Sequence, residues 1–268
     1  MDHDDLGNRM KGYESASDVR LDLAVPIVAR VDGRGFSSFT RDMVRPFDAT
    51  FSDCMETTCR ALTEDTGACI GYTQSDEMTF AWLAKPGADV WFGGRLAKMT
   101  SQLAAQATLL FYRQVLERMP QWAPRHPSFD ARVWNVPSRA EGASSVLWRE
   151  LDAVKNSVSM LALAHFSHRD LLGRSTAQKL EMLRAKGVEW EELPERWKRG
   201  AYIQRRMFTK PFSAEEIERL PPRHHARTNP GLVVKGTEYA RLQIPPLLEI
   251  ANREEVIFDG AAPTVRAA

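Results

Sequence analysis

Residues 27–83 constrain the fold more than any other stretch. Ile27-Val28-Ala29-Arg30-Val31 is apolar and β-branched, and reads as a buried strand that ends at the turn-forming pair Asp32-Gly33. A helix is expected over 48–66. Asp48 suits its N-cap, Phe51, Met55, Thr58/Cys59 and Leu62 recur at helical spacing, and Gly67 suits its stop. Residues 68–74 and 78–83 read as two strands of a hairpin about Ser75-Asp76-Glu77. The order is strand, acid, helix, strand, acidic turn, strand. With the first strand beside the hairpin, Asp32 and Asp76 converge. Two carboxylates that close repel unless cations lie between them. The carbonyl of Gly33 adds a third hard oxygen, so the set suits one or two Mg²⁺ acting on phosphates.

A chain of 268 residues buries a large core, as one large domain or one domain with an appendage. Its 36 basic and 35 acidic residues nearly cancel, so any surface for nucleic acid has to be local. Cys54, Cys59 and Cys69 are odd in number and show no CxxC spacing. That argues against a disulfide framework or a zinc site, and for buried free thiols in a reducing compartment. Met1-Asp2-His3-Asp4-Asp5 lacks the apolar region of a signal peptide, and no apolar run is long enough to cross a bilayer. The expectation is a cytoplasmic protein with no membrane partner.

Around this centre the chain reads as follows. Residues 5–14 form a short helix whose Leu6, Met10 and Tyr13 share a face, expected to strap the core. Arg41 and Arg45 fall on the loop before Pro46, where arginine suits either a triphosphate or solvent. A long amphipathic helix covers 94–119, with Lys98 in its first turns. Residues 129–137 read as a strand, and 140–167 as a helix. On that helix Arg149, Asp152, Lys155/Asn156 and Ser159 form a polar stripe, read as a solvated face or one turned to RNA or triphosphate. A helix over 175–187 and a short strand over 200–203 follow. From Lys210 the composition shifts: Pro211, Pro221, Pro222, Pro230, Pro245 and Pro246 surround a basic patch, Arg223-His224-His225-Ala226-Arg227. This segment is expected to be a loop-rich appendage.

Four motifs, in order, resemble the tRNA(His) guanylyltransferase family, the 3′-to-5′ RNA polymerases. They are Arg30-Val31-Asp32-Gly33-Arg34-Gly35-Phe36, Tyr72-Thr73-Gln74-Ser75-Asp76-Glu77, Phe129-Asp130-Ala131-Arg132 with Pro137-Ser138, and Trp148-Arg149-Glu150-Leu151-Asp152-Ala153. The resemblance runs from about Leu6 to Ile203. It implies an α+β fold with a palm like that of polymerases and nucleotide cyclases, an antiparallel sheet with helices on one face. The expected division is a palm core over 1–137, a helical part completing it over 138–209, and the appendage over 210–268. The resemblance implies two Mg²⁺ held by Asp32, the Gly33 carbonyl and Asp76, with Glu77 beside them as a third catalytic acid. It implies that Arg34, Gly35 and Phe36 contact a nucleotide triphosphate, that Arg45, Ser75 and Lys98 contact it or the tRNA 5′ end, and that Arg149, Lys155 and Asn156 contact RNA. Partners are tRNA, ATP and GTP or another nucleotide triphosphate, and the family likeness suggests a tetramer.

Eukaryotic members follow the Trp-Arg motif with a His-Ile-Asn-Asn stretch tied to tRNA(His). Here Val154-Lys155-Asn156-Ser157 stands in its place and keeps only Asn156. That points to the guanylyltransferase-like branch, which resembles template-dependent repairers of 5′-truncated tRNAs. The expected chemistry is activation of the tRNA 5′-phosphate by ATP, followed by attack of a nucleotide's 3′-hydroxyl. Two other readings are a palm-type nucleotide cyclase acting on GTP or ATP and a non-catalytic RNA-binding protein. Intact Asp32, Asp76 and Glu77 argue against the last.

Overall fold

The computed structural model describes residues 3–266 other than Pro86, Ala88 and Pro230. The first two residues of the acidic N-terminus and Pro230 of the proline-rich segment therefore lie outside the described residues. In chain order the elements are α1 (His3–Ser15), β1 (Ile27–Arg34), α2 (Phe36–Phe39), α3 (Ala49–Thr66), β2 (Ile70–Gln74), β3 (Glu77–Trp82), α4 (Leu96–Arg118), β4 (Ser128–Asn135) and α5 (Arg139–His165). There follow α6 (His168–Leu171), α7 (Thr176–Arg184), α8 (Glu195–Lys198), β5 (Ala201–Pro211), α9 (Ala214–Arg219), β6 (Val233–Arg241) and α10 (Arg253–Asp259). The six strands form one sheet in the order β4-β1-β3-β2-β5-β6, every neighbour antiparallel.

Alternation along the strands sends side chains to two cores. Ile27, Ala29 and Val31 of β1 and Met78, Phe80 and Trp82 of β3 face α3 and α4. Phe36, Phe39, Phe51, Phe111 and Phe129 interlock there as a ring cluster. Ile70, Tyr72, Ala81 and Tyr202 face the other way, against Ala143 and Val146 of α5 and Val256, Ile257 and Phe258 of α10. Beyond the expected helical layer, the sheet thus carries a second one. Asp48 caps α3 through its carboxylate and the Phe51 N–H at 2.9 Å, a contact worth about 1 kcal/mol. Gly67 ends the helix in the left-handed conformation.

Three expectations change. Asp32-Gly33 does not end β1, which pairs on to Arg34. Segment 210–268 is not an appendage. β6 pairs with β5 along its whole length, and Leu247, Ile250 and Phe258 are fully buried. Glu150 of α5 stitches the segment in, accepting from the Tyr202 hydroxyl at 2.5 Å and the Leu247 N–H at 2.9 Å. Among the segment's described residues, loop is concentrated between β5 and β6, over 242–252 and after α10. Finally, α1 does not strap the core: Leu6, Met10 and Tyr13 are 38%, 42% and 68% exposed. The three cysteines are free, with Cys54 and Cys59 buried.

Candidate active site

Register sets three acids in a row. Asp130 on β4 stands opposite Asp32 on β1, and Asp32 opposite Glu77 on β3. The next row of the same face holds Arg132, Arg30 and Thr79. Side chains directly opposite one another lie about 5 Å apart at Cβ, so a row of like charges is unfavourable unless cations enter it. Arg30 is one. Its Nη2 donates to Asp32 Oδ1 at 3.1 Å and pairs with Glu77 Oε2 at 2.7 Å. Arg149 is another, donating from Nε and Nη2 to the two oxygens of Glu77 at 2.5 Å each. Arg149 Nη2 also reaches Asp152 Oδ2 at 3.1 Å. Burial raises the Glu77 carboxyl above the usual range, and the two arginines pull it back.

The hairpin tip supplies the remaining acid. Ser75 takes a left-handed conformation with φ of 48°, uncommon for a residue with a side chain. The Asp76 carbonyl accepts from the Gly33 N–H at 3.0 Å, tying the tip to the end of β1. Burial holds the Asp76 carboxyl above its ordinary range, and the charge of Asp32 raises it further. Gly33 itself stays in extended backbone. What demands glycine there is space, since a Cβ would lie 2.5 Å from the Phe36 ring.

Among the described residues, no three histidine, cysteine or acidic side chains converge as a metal cage. Mg²⁺ does not need one, because it is commonly held by one or two carboxylates together with substrate phosphates. Asp32, Asp76 and the Gly33 carbonyl match that donor set. A half-buried carboxylate raised by a neighbouring negative charge is what a divalent cation would relieve. Glu77, held by two arginines, is less open to a ligand role.

A cavity of about 320 Å³ opens beside the tip, between α3, α5 and the loop before α3. Arg45, Ser75 and Asn156 line it, as do Phe47 and Trp197, whose rings stack at 5.3 Å and 12°. The sequence motifs did not single out this aromatic pair, nor Asp130 as the neighbour of Asp32. A stacking pair drawn from residues 150 positions apart leaves no local signal, whereas Asp130 lay within a matched motif. Arg34 and Gly35, expected on the triphosphate, are not in this lining and line a second, smaller cavity instead.

Several expected contacts are corrected. The Phe36 ring is buried in the phenylalanine cluster, so it anchors the loop and offers no side chain to a nucleotide. Arg149 is buried on Glu77 and does not face RNA. Lys98 lies in the first turn of α4 by Phe92, at the end of the sheet where β1 begins. The acids lie at the other end of β1, on the order of 20 Å away along the strand. Lys155, by contrast, is exposed on α5 next to the cavity-lining Asn156, which is compatible with the expected contact to RNA.

An antiparallel sheet backed by helices, with carboxylates at adjoining strand ends beside a cavity, defines a palm of the nucleotidyl-transfer type. The comparisons agree. The family profile for tRNAHis guanylyltransferase (Thg1) matches residues 7–137. A bacterial tRNA(His) guanylyltransferase-like protein solved in complex with ATP is 33% identical, with a TM-score of 0.70 over 75% of this chain and 87% of that one. A bacterial protein of the same description in complex with GTP is 26% identical, with a TM-score of 0.69 over 91% and 94%. The tRNA(His) guanylyltransferase of Schizosaccharomyces pombe is 28% identical over 72% of this chain and 77% of its own. The chain belongs to the tRNA(His) guanylyltransferase family and is a nucleotidyltransferase.

Proposed function

We propose that the protein adds nucleotides to the 5′ end of tRNA in the 3′-to-5′ direction, directed by the opposing strand. The observation that carries this reading is the placement of Asp32 and Asp76, tied together at Gly33, beside a cavity walled by Arg45, Ser75 and Asn156. The ATP and GTP named for the two bacterial relatives support nucleotide triphosphates as substrates.

In the first step an oxygen of the tRNA 5′-monophosphate attacks the α-phosphorus of ATP and pyrophosphate leaves. In the second the 3′-hydroxyl of the incoming nucleotide attacks the activated 5′-phosphorus and AMP leaves. Phosphoryl transfer asks the protein mainly for position and charge. Asp32, Asp76 and the Gly33 carbonyl would hold Mg²⁺, which when bound supplies the positive charge that lowers the hydroxyl's pKa and neutralises the triphosphate. Arg30 fixes the Asp32 carboxylate, and Glu77 fixes Arg30. Arg45 offers a guanidinium to phosphate oxygens, and the Phe47–Trp197 pair offers a face to a base.

Val154 to Ser157, in place of the stretch tied to tRNA(His), supports repair of 5′-truncated tRNAs over guanylylation of one tRNA alone. The test is to incubate truncated tRNAs with ATP and each nucleotide triphosphate while varying the opposing base. Addition that follows the opposing base is expected. Guanosine addition confined to tRNA(His) overturns the repair reading, and a cyclic product from GTP alone overturns the polymerase reading.

A further inference from the structure

The loop after the first acid separates two cavities, and the smaller one carries charge that the protein does not balance. α2 and the turn beyond it form the shared wall. Ser37 and Thr40 line the larger cavity, while Ser38, Arg41 and Asp42 line the smaller, of about 310 Å³. Arg34 enters the smaller one from the end of β1, two residues past Asp32. The one carboxylate in its lining, Asp42, is taken by Arg125 at 2.5 Å. Arg125 spends its other nitrogen on the carbonyls of Ser38 at 3.2 Å and Phe39 at 2.8 Å, bracing the wall. Arg34 and Arg41 are exposed, and neither has an ion-pair partner among the described residues.

Two unpaired guanidiniums in one concave site repel, and an anion relieves them. The planar fork of arginine matches phosphate oxygens. The smaller cavity offers no phenylalanine, tyrosine or tryptophan face to a base, because Phe39 is packed in the core, and its one other ring is the His126 imidazole beside Tyr112. Its chemistry therefore suits a sugar–phosphate backbone, and that of the larger, with Phe47 and Trp197, suits a nucleobase. The proposed reaction brings two substrates to the same acids. Ser75 of the larger cavity adjoins Asp76, and Arg34 of the smaller follows Asp32, so the cavities approach the acids from two sides.

We infer that the smaller cavity receives the phosphate backbone of the acceptor RNA, held by Arg34 and Arg41. The inference rests on the function proposed above. It is tested by tRNA binding over a series of KCl concentrations, read by fluorescence anisotropy, with ATP binding measured on the same proteins. Each RNA phosphate that the protein ceases to neutralise lowers the slope of log K against log salt by about 0.7–0.9. The double variant Arg34→Gln/Arg41→Gln is expected to lose about 1–2 from that slope, with ATP affinity unchanged and the same circular dichroism spectrum. Arg169→Gln/Arg174→Gln, near α6, is expected to keep the wild-type slope. An unchanged slope in the first variant, or an equal loss in the second, overturns the inference and leaves the proposed function standing. Loss of ATP affinity with the slope intact overturns it too, and assigns the cavity to nucleotide phosphates. A wild-type protein that binds ATP and no tRNA overturns both.

Discussion

Arg149 of α5 grips Glu77 of β3 at both carboxylate oxygens, 2.5 Å each, with both side chains buried. The pair joins the helix over the sheet to the strand that carries the acids. Removing one partner leaves the other charged and dry, which costs about 3–5 kcal/mol, whereas replacing both by apolar groups of similar volume is often near neutral. Arg149→Met is therefore expected to lose about that much stability in urea unfolding. Glu77→Leu/Arg149→Met is expected to recover more than half of the loss. A double variant as unstable as the single one would show that Arg30 and Asp152, not this pair, set the cost.

Asp76 pulls in the opposite direction. Burial and the charge of Asp32 raise its carboxyl, so at neutral pH the ionised form costs the fold stability. A group raised this way destabilises above its folded pKa, and the cost is relieved as pH falls through that value. Asp76→Asn is thus expected to be at least as stable as the wild type at pH 7. On the proposed function it should nevertheless lose nucleotide addition by about 10³-fold or more, as should Asp32→Asn, since each removes a charge that would hold Mg²⁺, worth several kcal/mol at the transition state. Thermal unfolding beside a single-turnover assay measures both. Full activity in either variant would remove the acids from the chemistry.

The buried thiols set an alkaline limit. Burial pushes the Cys59 thiol up to about 12 and Cys54 up to about 11. In the unfolded chain both ionise near the ordinary cysteine value, about 8.5. The folded state then holds more protons than the unfolded one, so stability falls as pH rises. Each thiol contributes up to about 1.4 kcal/mol per pH unit above pH 9 until its folded pKa is reached. Burial raises the Cys69 thiol as well, so between pH 9 and 10, before the buried tyrosines add their own effect, Cys59→Ala is expected to lower the measured slope by about a third. An unchanged slope would assign the loss to other groups.

Much of the site was legible because its signals are local. Asp48 and Gly67 bracket α3 within a residue of the expected ends, and the hairpin turns at Ser75-Asp76. Other features depend on partners far away in sequence. Arg149 sits in a polar stripe that looks solvated, and Glu77, its partner, is 72 residues away. β5 and β6 find each other across a proline-rich stretch with little periodicity, which reads as loop when their pairing is unseen. Gly33 reads as a turn residue, yet the constraint is the Phe36 ring against its backbone. Lys98 shows how far a motif carries: its place in the family pattern names it, but the start of α4 is placed by backbone hydrogen bonds, from the Leu96 N–H to the Val19 carbonyl and from the Leu21 N–H to the Gly94 carbonyl.

The larger cavity gives the most direct measure of nucleotide recognition. Phe47 and Trp197 stack at 5.3 Å, and the Trp197 indole N–H donates to the Ser52 hydroxyl at 3.1 Å, which fixes the indole from α3. Arg196 lies over the Trp197 ring at 5.4 Å, so a base stacks on the outer face of Phe47, and removing Phe47 takes that face away. Aromatic stacking on a base is worth about 1–3 kcal/mol by alanine substitution. Phe47→Ala is expected to weaken ATP or GTP binding by about 5- to 150-fold, followed through tryptophan fluorescence. Since the change lies in base binding and away from Asp32 and Asp76, kcat at saturating nucleotide should fall far less than affinity. Equal affinity in the variant would move the base out of this cavity and leave Arg45 as its reason to hold a nucleotide.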